Sequence, residues 1–330
     1  TQAVQRGDNG IPLVAGRDAL LRAFVVADRE GLPPPRAVVR LYEGSTQIGT
    51  LPMTAPVGSL PLVTREGLDG QAYTARLAPD LVRNSLRLVV DIDPDSSVGE
   101  VQRGDNVWPG GGAPRALTTV NVPPFVVRFV PVVVGGRAPE LSASRAAEIL
   151  SLARAMWPLA TVDFEIRAPY VSAVTTLQPT DADGGWSTVL SELRALRVLD
   201  GAPAGVHYYG LVSPTYSNGV FGLGLVGSPT SVGWDRDDAA QVATHEWGHN
   251  FGRTHSPCGD PPGIDAFYPT VGGATASAGW DVRSNRIVAP LTPDIMGYCA
   301  NAWVSEYSYT RALAFRQNTI AARATASSGS

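Results

Sequence analysis

Residues 245–255 read His-Glu-Trp-Gly-His-Asn-Phe-Gly-Arg-Thr-His and hold three of the chain's four histidines. Neutral imidazole is the commonest side-chain ligand for a divalent transition metal. Positions four apart on a helix share a face, with Cβ atoms about 5–6 Å apart, so His245 and His249 can converge on one ion. A continuous helix cannot bring a residue six positions later to the same ion. The chain must leave the helix, and Gly252 is able to take the positive φ of that exit. His255 then returns as a third ligand. Three neutral imidazoles leave one position of a tetrahedral zinc open for water, which separates a catalytic site from a closed structural one. Glu246 stands beside that position. Since bound zinc lowers the pKa of water from about 15.7 to about 7, a neighbouring carboxylate can take the proton as the water attacks a carbonyl.

Further along stands Asp294-Ile295-Met296-Gly297-Tyr298-Cys299, which contains one of only three methionines. Together the two stretches resemble the metzincin clan of zinc proteases, whose long histidine motif is followed by a methionine turn. The resemblance implies that Met296 is an apolar floor beneath the imidazoles. It also implies that Tyr298 binds the metal or donates to the developing oxyanion, as in astacin-like and serralysin-like members; a packed core tyrosine is the alternative. The surrounding residues, Thr244 to Gly252, then Trp303 and Tyr307-Ser308-Tyr309, are similar to those of large secreted bacterial metalloproteases, the mucin-degrading ones included. They differ from the pappalysin pattern after the third histidine and from venom reprolysins, which lack the tyrosine after the methionine.

What this likeness implies is a secreted endopeptidase that uses one zinc ion and acts on extracellular proteins or glycoproteins. In such enzymes an extended peptide adds antiparallel to an exposed edge strand. Gly219 to Leu225, with Phe221, Gly222 and Leu223 at its centre, is the candidate edge, its glycines leaving room for a second backbone. An internal strand whose glycines relieve crowding is the competing reading. Ala300 to Trp303 would wall the pocket beyond the cut bond, with Trp303 either lining it or packing a helix.

The two cysteines, Cys258 and Cys299, lie three residues after His255 and three after Met296. A disulfide between them is the natural reading, and closing a loop of that size stabilises by roughly 4 kcal/mol in the chain-entropy picture. It would indicate an oxidising compartment. Two free thiols, or a cysteine on the metal, are the alternatives.

At 330 residues and 44% hydrophobic, the chain is long enough for two cores. Apolar runs such as Val130 to Val134 fall far short of the roughly 20 residues a membrane span needs. A net charge of −4 argues against a nucleic-acid partner. All 26 basic residues are arginine, which excludes Schiff-base lysines and P-loop lysines. The sequence starts at Thr1 without a charged and apolar leader, so any export signal is expected to have been removed or to lie outside this sequence. The expected working form is a monomer.

Segments near 20–28, 36–43, 71–77 and Ser85 to Ile92 alternate apolar and polar, separated by Pro and Gly clusters. Residues 1–122 are therefore expected to form an all-β immunoglobulin-like sandwich, similar to bacterial adhesion modules around Asp91 to Asn106. Residues 123–322 follow as an α+β metzincin-like domain, and 323–330 as a loose tail. In the second stretch, strands are expected at Phe125 to Val134, Thr161 to Arg167, Val206 to Val212 and Gly219 to Val226. Helices are expected from Ser142 to Trp157, from Gly185 to Asp200 with Leu190, Leu193, Leu196 and Val198 or Leu199 buried, from Asp237-Asp238 through the histidines, and over 303–322. Weaker signals are Asp181-Ala182-Asp183-Gly184-Gly185, Asp260 and Asp265, which could hold Ca²⁺ but read more readily as polar turns, and His207, a strand histidine. An adhesin or glycan-binding protein with a non-catalytic metal site is the rival reading; Glu246 disfavours it, since a structural site needs no base beside an open position.

Overall fold

The computed structural model describes residues 1–100, 102–180 and 182–327, with side chains described except at 182, 183 and 320–327. Two compact units form: Thr1–Asn121 with Ala276–Leu291, and Val122–Thr275 with Thr292–Ser330. The stretch expected as 123–322 is thus interrupted. Residues 276–291 fold as a hairpin, Gly279–Asp281 against Arg286–Val288, that joins the first unit. There Trp280 is fully buried, its backbone N–H donating to Ala3 O at 2.9 Å. A short hairpin carries no signal in its own residues for which core will take its tryptophan.

The first unit is all-β. Its larger sheet runs Thr46–Pro52, Ala37–Glu43, Leu86–Ile92, Val107–Trp108, all antiparallel, and Ala19–Ala23 pairs separately with Tyr73–Leu77. The alternation read from the sequence has its cause in one shared core. Leu86, Leu88 and Val90 point inward with Val39, Leu41, Tyr73, Ala75 and Leu77, while Arg87 points out.

In the second unit the strand order is Val162–Ile166, Phe125–Val133, Val206–Val212, Thr230–Trp234, Gly222–Gly224. The first four are parallel, and Gly222–Gly224 is the antiparallel edge. Parallel neighbours need crossover connections, and two of the three here are helical. These are α1 (Ala143–Met156) and α2 (Ser187–Leu199), followed after the sheet by α3 (Ala239–Asn250) and α4 (Glu306–Ser327). Phe125–Val133, covered on both sides, buries Phe125, Val127, Phe129, Val130 and Val132 completely, as a central parallel strand requires.

Ser142 caps α1, its hydroxyl accepting from Arg145 N at 3.2 Å. On α2 the buried stripe is Val189, Leu190, Leu193 and Leu196; Val198 and Leu199 are 75% and 82% exposed, because the stripe has rotated away from the sheet by the last turn. Asp238 precedes α3 but caps no backbone group, its carboxylate accepting instead from Trp234 Nε1 at 2.7 Å. The buried side of α3 is aromatic: Trp247 packs on Phe125, Phe129 and Tyr209, and Trp157 Nε1 donates to Thr244 O at 2.8 Å. α4 continues to Ser327, so 323–327 are helical where a loose tail was expected; 328–330 lie outside the described residues. Among the described residues no helix is long and apolar enough to cross a membrane.

Candidate active site

α3 places His245 and His249 on successive turns with ring centroids 4.9 Å apart. The helix closes with Gly252 at φ 78°, its N–H donating to His249 O at 2.8 Å and that of Arg253 to Gly248 O at 2.9 Å. This reversal returns His255 to within 4.6 Å of the His249 ring and 5.2 Å of the His245 ring. One ligand nitrogen from each of the three lies within 4.8 Å of the others.

Each Nδ1 meets a backbone carbonyl: His245 meets Ile295 O at 2.7 Å, His249 meets Arg253 O at 2.8 Å and His255 meets Pro262 O at 2.5 Å. A carbonyl only accepts, so each Nδ1 carries its hydrogen and each Nε2 is left as a lone pair. His249 Nε2 and His255 Nε2 are 3.1 Å apart. Burial first, and the neighbouring imidazoles second, hold protons off: His245 lies well below the usual histidine range and His249 is pushed down to about 4. Burial lowers His255 as well. Three neutral nitrogen donors gathered in this way suit a zinc ion in chemistry and in number.

Glu246 is 6% exposed, its Oε2 is buried with no hydrogen-bond partner, and burial raises its carboxyl well above the usual range. A buried acceptor without a partner is costly unless a water or ligand meets it. The edge strand presses on this side chain. A Cβ at Gly222 would lie 2.6 Å from Glu246 Oε1, and one at Gly224 would lie 2.9 Å from Oε2. The glycines of Gly222–Gly224 therefore relieve crowding against α3 even though the strand is at the sheet edge. Gly233, the register partner of Gly222, makes the same room for the Tyr209 hydroxyl, which is also buried and unpartnered. Phe221 stacks on Trp234 with centroids 4.2 Å apart and stays 38% exposed; Leu223 is half-buried.

Met296 is fully buried against α3, its Sδ occupying the space a Cβ on Gly248 would need. This explains a glycine in the interior of the metal helix, where it otherwise costs about 1 kcal/mol relative to alanine. Asp294, which the sequence reading passed over, is fully buried and holds the turn. Its Oδ1 accepts from Met296 N at 2.7 Å, and its Oδ2 accepts from Ser305 N and Tyr268 OH at 3.0 Å. An Asp two residues before the turn's methionine is an Asx-turn signal that could have found it. Asn250 was likewise passed over. Its amide donates to Leu225 O at 3.2 Å and Thr230 O at 3.1 Å, tying the end of α3 to the edge strand's loop. His207 sits in its strand beside this residue, Nδ1 3.5 Å from Asn250 Oδ1.

Tyr298 is 57% exposed, with its ring 5.2 Å from His255 and 6.0 Å from His245. Partial burial first, then the charge of Glu246, raises its hydroxyl pKa. Its N–H donates to Cys258 O at 2.8 Å, and Cys258 and Cys299 form a disulfide with Cα atoms 5.7 Å apart. Trp303 is buried beside the methionine turn. It precedes α4, is 4% exposed, and its backbone pairs with the methionine turn, Ile295 N donating to Trp303 O and Trp303 N to Pro293 O, both at 2.8 Å. Calcium finds no support. Asp181 lies outside the described residues and Asp183's side chain is not described, while Asp265 is paired with Arg253 at 2.9 Å. Among the described residues, the histidine trio is the metal-competent group of three or more His, Cys, Asp or Glu side chains.

Residues 208–328 match the model of the Peptidase M66 family. No curated protein matches the chain. Among solved structures, a chaperone–substrate complex shows 10% identity and a TM-score of 0.35, the match covering 74% of this chain and 38% of that one. Metalloproteinase-II from Bacteroides fragilis shows 13% identity and a TM-score of 0.35 over 87% of this chain and 93% of that one. The M66 match spans the histidine trio and the methionine turn, so the chain carries an α+β zinc metallopeptidase segment, hydrolytic in class.

Proposed function

We infer that the protein is a secreted endopeptidase acting on extracellular proteins or glycoproteins, with Glu246 as general base. One observation carries this reading: three imidazoles with their Nδ1 atoms already committed stand beside a buried carboxyl oxygen that lacks a partner. His245, His249 and His255 would hold the zinc. When bound, the ion acts as a Lewis acid that brings the pKa of water to about 7. Glu246 accepts the proton of the attacking water and returns it to the leaving amine. The Tyr298 hydroxyl donates to the oxyanion that forms on the carbonyl. The edge strand Gly222–Gly224 pairs with an extended substrate, and Phe221 offers its exposed ring at the rim.

The disulfide supports secretion, since such bonds persist in oxidising compartments. The first unit is read as an immunoglobulin-like sandwich that either orients large substrates or props the catalytic domain.

Metal analysis combined with digestion of casein and a glycoprotein tests this. Wild-type protein should bind zinc and cleave, and Glu246→Ala should keep the metal while losing about 100- to 10,000-fold in turnover. Equal cleavage by both proteins would contradict the assignment.

A further inference from the structure

Two of the three imidazoles are aimed by backbone that a single ion pair ties down. His249 donates through Nδ1 to the carbonyl of Arg253 at 2.8 Å. The Arg253 guanidinium, with its side chain 8% exposed, reaches Asp265, 11% exposed, at 2.9 Å. Asp265 in turn donates its backbone N–H to the carbonyl of His255 at 2.8 Å, and the adjacent Ile264 forms a parallel bridge with His255. Each member of the pair therefore grips one ligand through its main chain and the other member through its side chain.

The arrangement is braced further. Asp265 Oδ2 also accepts from Tyr307 OH at 3.0 Å, and Oδ1 accepts from Phe267 N at 3.0 Å. The Tyr307 ring lies beneath the Arg253 guanidinium, 5.4 Å from ring centre to Cζ. Tyr268, whose N–H donates to Asp265 O at 3.0 Å, carries the connection through its hydroxyl to Asp294, the residue that holds the methionine turn. A buried ion pair is weak evidence for stability, because desolvation offsets much of the attraction, and its better-attested use is to fix one arrangement among several.

We propose that Arg253 and Asp265 are positioning residues that hold His249 and His255 at the separation the metal requires. The proposal rests on the zinc-binding reading above and adds to it the device that sets ligand geometry. Outer partners of metal ligands commonly account for 10- to 100-fold in affinity.

The test measures zinc affinity by competition with a chelating chromophore, and the visible spectrum of the cobalt-loaded protein, on the full chain. Asp265→Asn should weaken zinc about 10- to 100-fold and alter the cobalt bands. This variant leaves a buried arginine without its counter-charge, so the double variant Arg253→Met/Asp265→Leu accompanies it to restore folding without the pair. A positioning role predicts that the double variant recovers stability to urea yet still binds zinc at least tenfold more weakly. Zinc affinity and cobalt bands equal to wild type in the folded double variant would overturn the proposal. Should neither variant fold, Tyr307→Phe decides. Loss of its hydrogen bond to Asp265 should weaken zinc by about threefold or more, and unchanged affinity counts against the proposal. Failure of the wild-type protein itself to bind zinc would defeat the metallopeptidase reading instead.

Discussion

At the scale of single residues, the site is governed by which atoms have no freedom left. Met296 fills the place of a side chain on Gly248, so Gly248→Ala should gain helix propensity yet lose more to overpacking, a net cost of about 1–3 kcal/mol. Urea unfolding checks this, and Met296→Ala in the same chain should return part of the loss by reopening the space. Tyr298 has an exposed ring beside two imidazoles, and Tyr298→Phe should lower kcat by roughly 100- to 1,000-fold with KM little changed. Steady-state kinetics on a peptide substrate read both terms, and an unaltered kcat would leave Tyr298 out of the reaction. The ligands themselves were legible in the sequence, because helix geometry makes a four-residue spacing meaningful. Their Nδ1 partners were not. Those are main-chain carbonyls of Arg253, Pro262 and Ile295, and the identity of a residue says nothing about where its carbonyl points.

Elements matter through how closely they approach. The strand Gly222–Gly224 crosses α3 at a distance that only glycine permits: alanine at 222 must displace the Glu246 side chain, and alanine at 224 meets the Glu246 carbonyl of the helix itself. Gly222→Ala, whose Cβ would meet only side-chain atoms of Glu246 and Val242, should therefore depress turnover by about tenfold or more, the lower end of what general-base displacement costs, while zinc content stays at wild-type level. Metal analysis alongside kinetics separates this from a folding defect. The strands followed from apolar periodicity, which half-buried and central strands write strongly, while the start of α1 followed from the cap residue Ser142 and that of α3 from Asp237-Asp238 ahead of the histidine spacing. Element ends were written weakly: Val198 and Leu199 are exposed at the end of α2, and Trp303 pairs with the methionine turn ahead of α4. Whether glycines in a short strand serve an edge or relieve crowding could not be told from residue types, and here one strand does both.

For the whole molecule, acid should expose the histidine trio. In zinc-free protein the folded-state pKa of His249 is about 4, below the ordinary histidine value, so the unfolded chain binds protons that the folded chain refuses. The histidine contribution to stability should therefore fall as pH drops from about 6.5 toward 4, while Glu246, raised by burial, contributes in the opposite sense; zinc should add stability above that window by binding only the folded form. Urea midpoints of Glu246→Gln protein between pH 7 and pH 4, with and without a chelator, check the sign free of that carboxyl; a zinc-free Glu246→Gln protein that grows more stable across that window contradicts it. The chain's division into two compact units was only partly legible. Composition and strand texture marked a change near residue 120, but nothing in Ala276–Leu291 marked it for the first unit, because its membership depends on distant partners, Val4 for Gly279 and Ala3 for Trp280.

The most direct test is X-ray absorption of the zinc-loaded protein at neutral pH. Three imidazole nitrogens from His245, His249 and His255 should appear at about 2.0–2.1 Å with one further light-atom ligand, and substituting any one histidine should remove its contribution. A zinc shell containing sulfur, a shell that persists without His249, or a wild-type chain that takes up no zinc would contradict the assignment of these residues to a catalytic metal site.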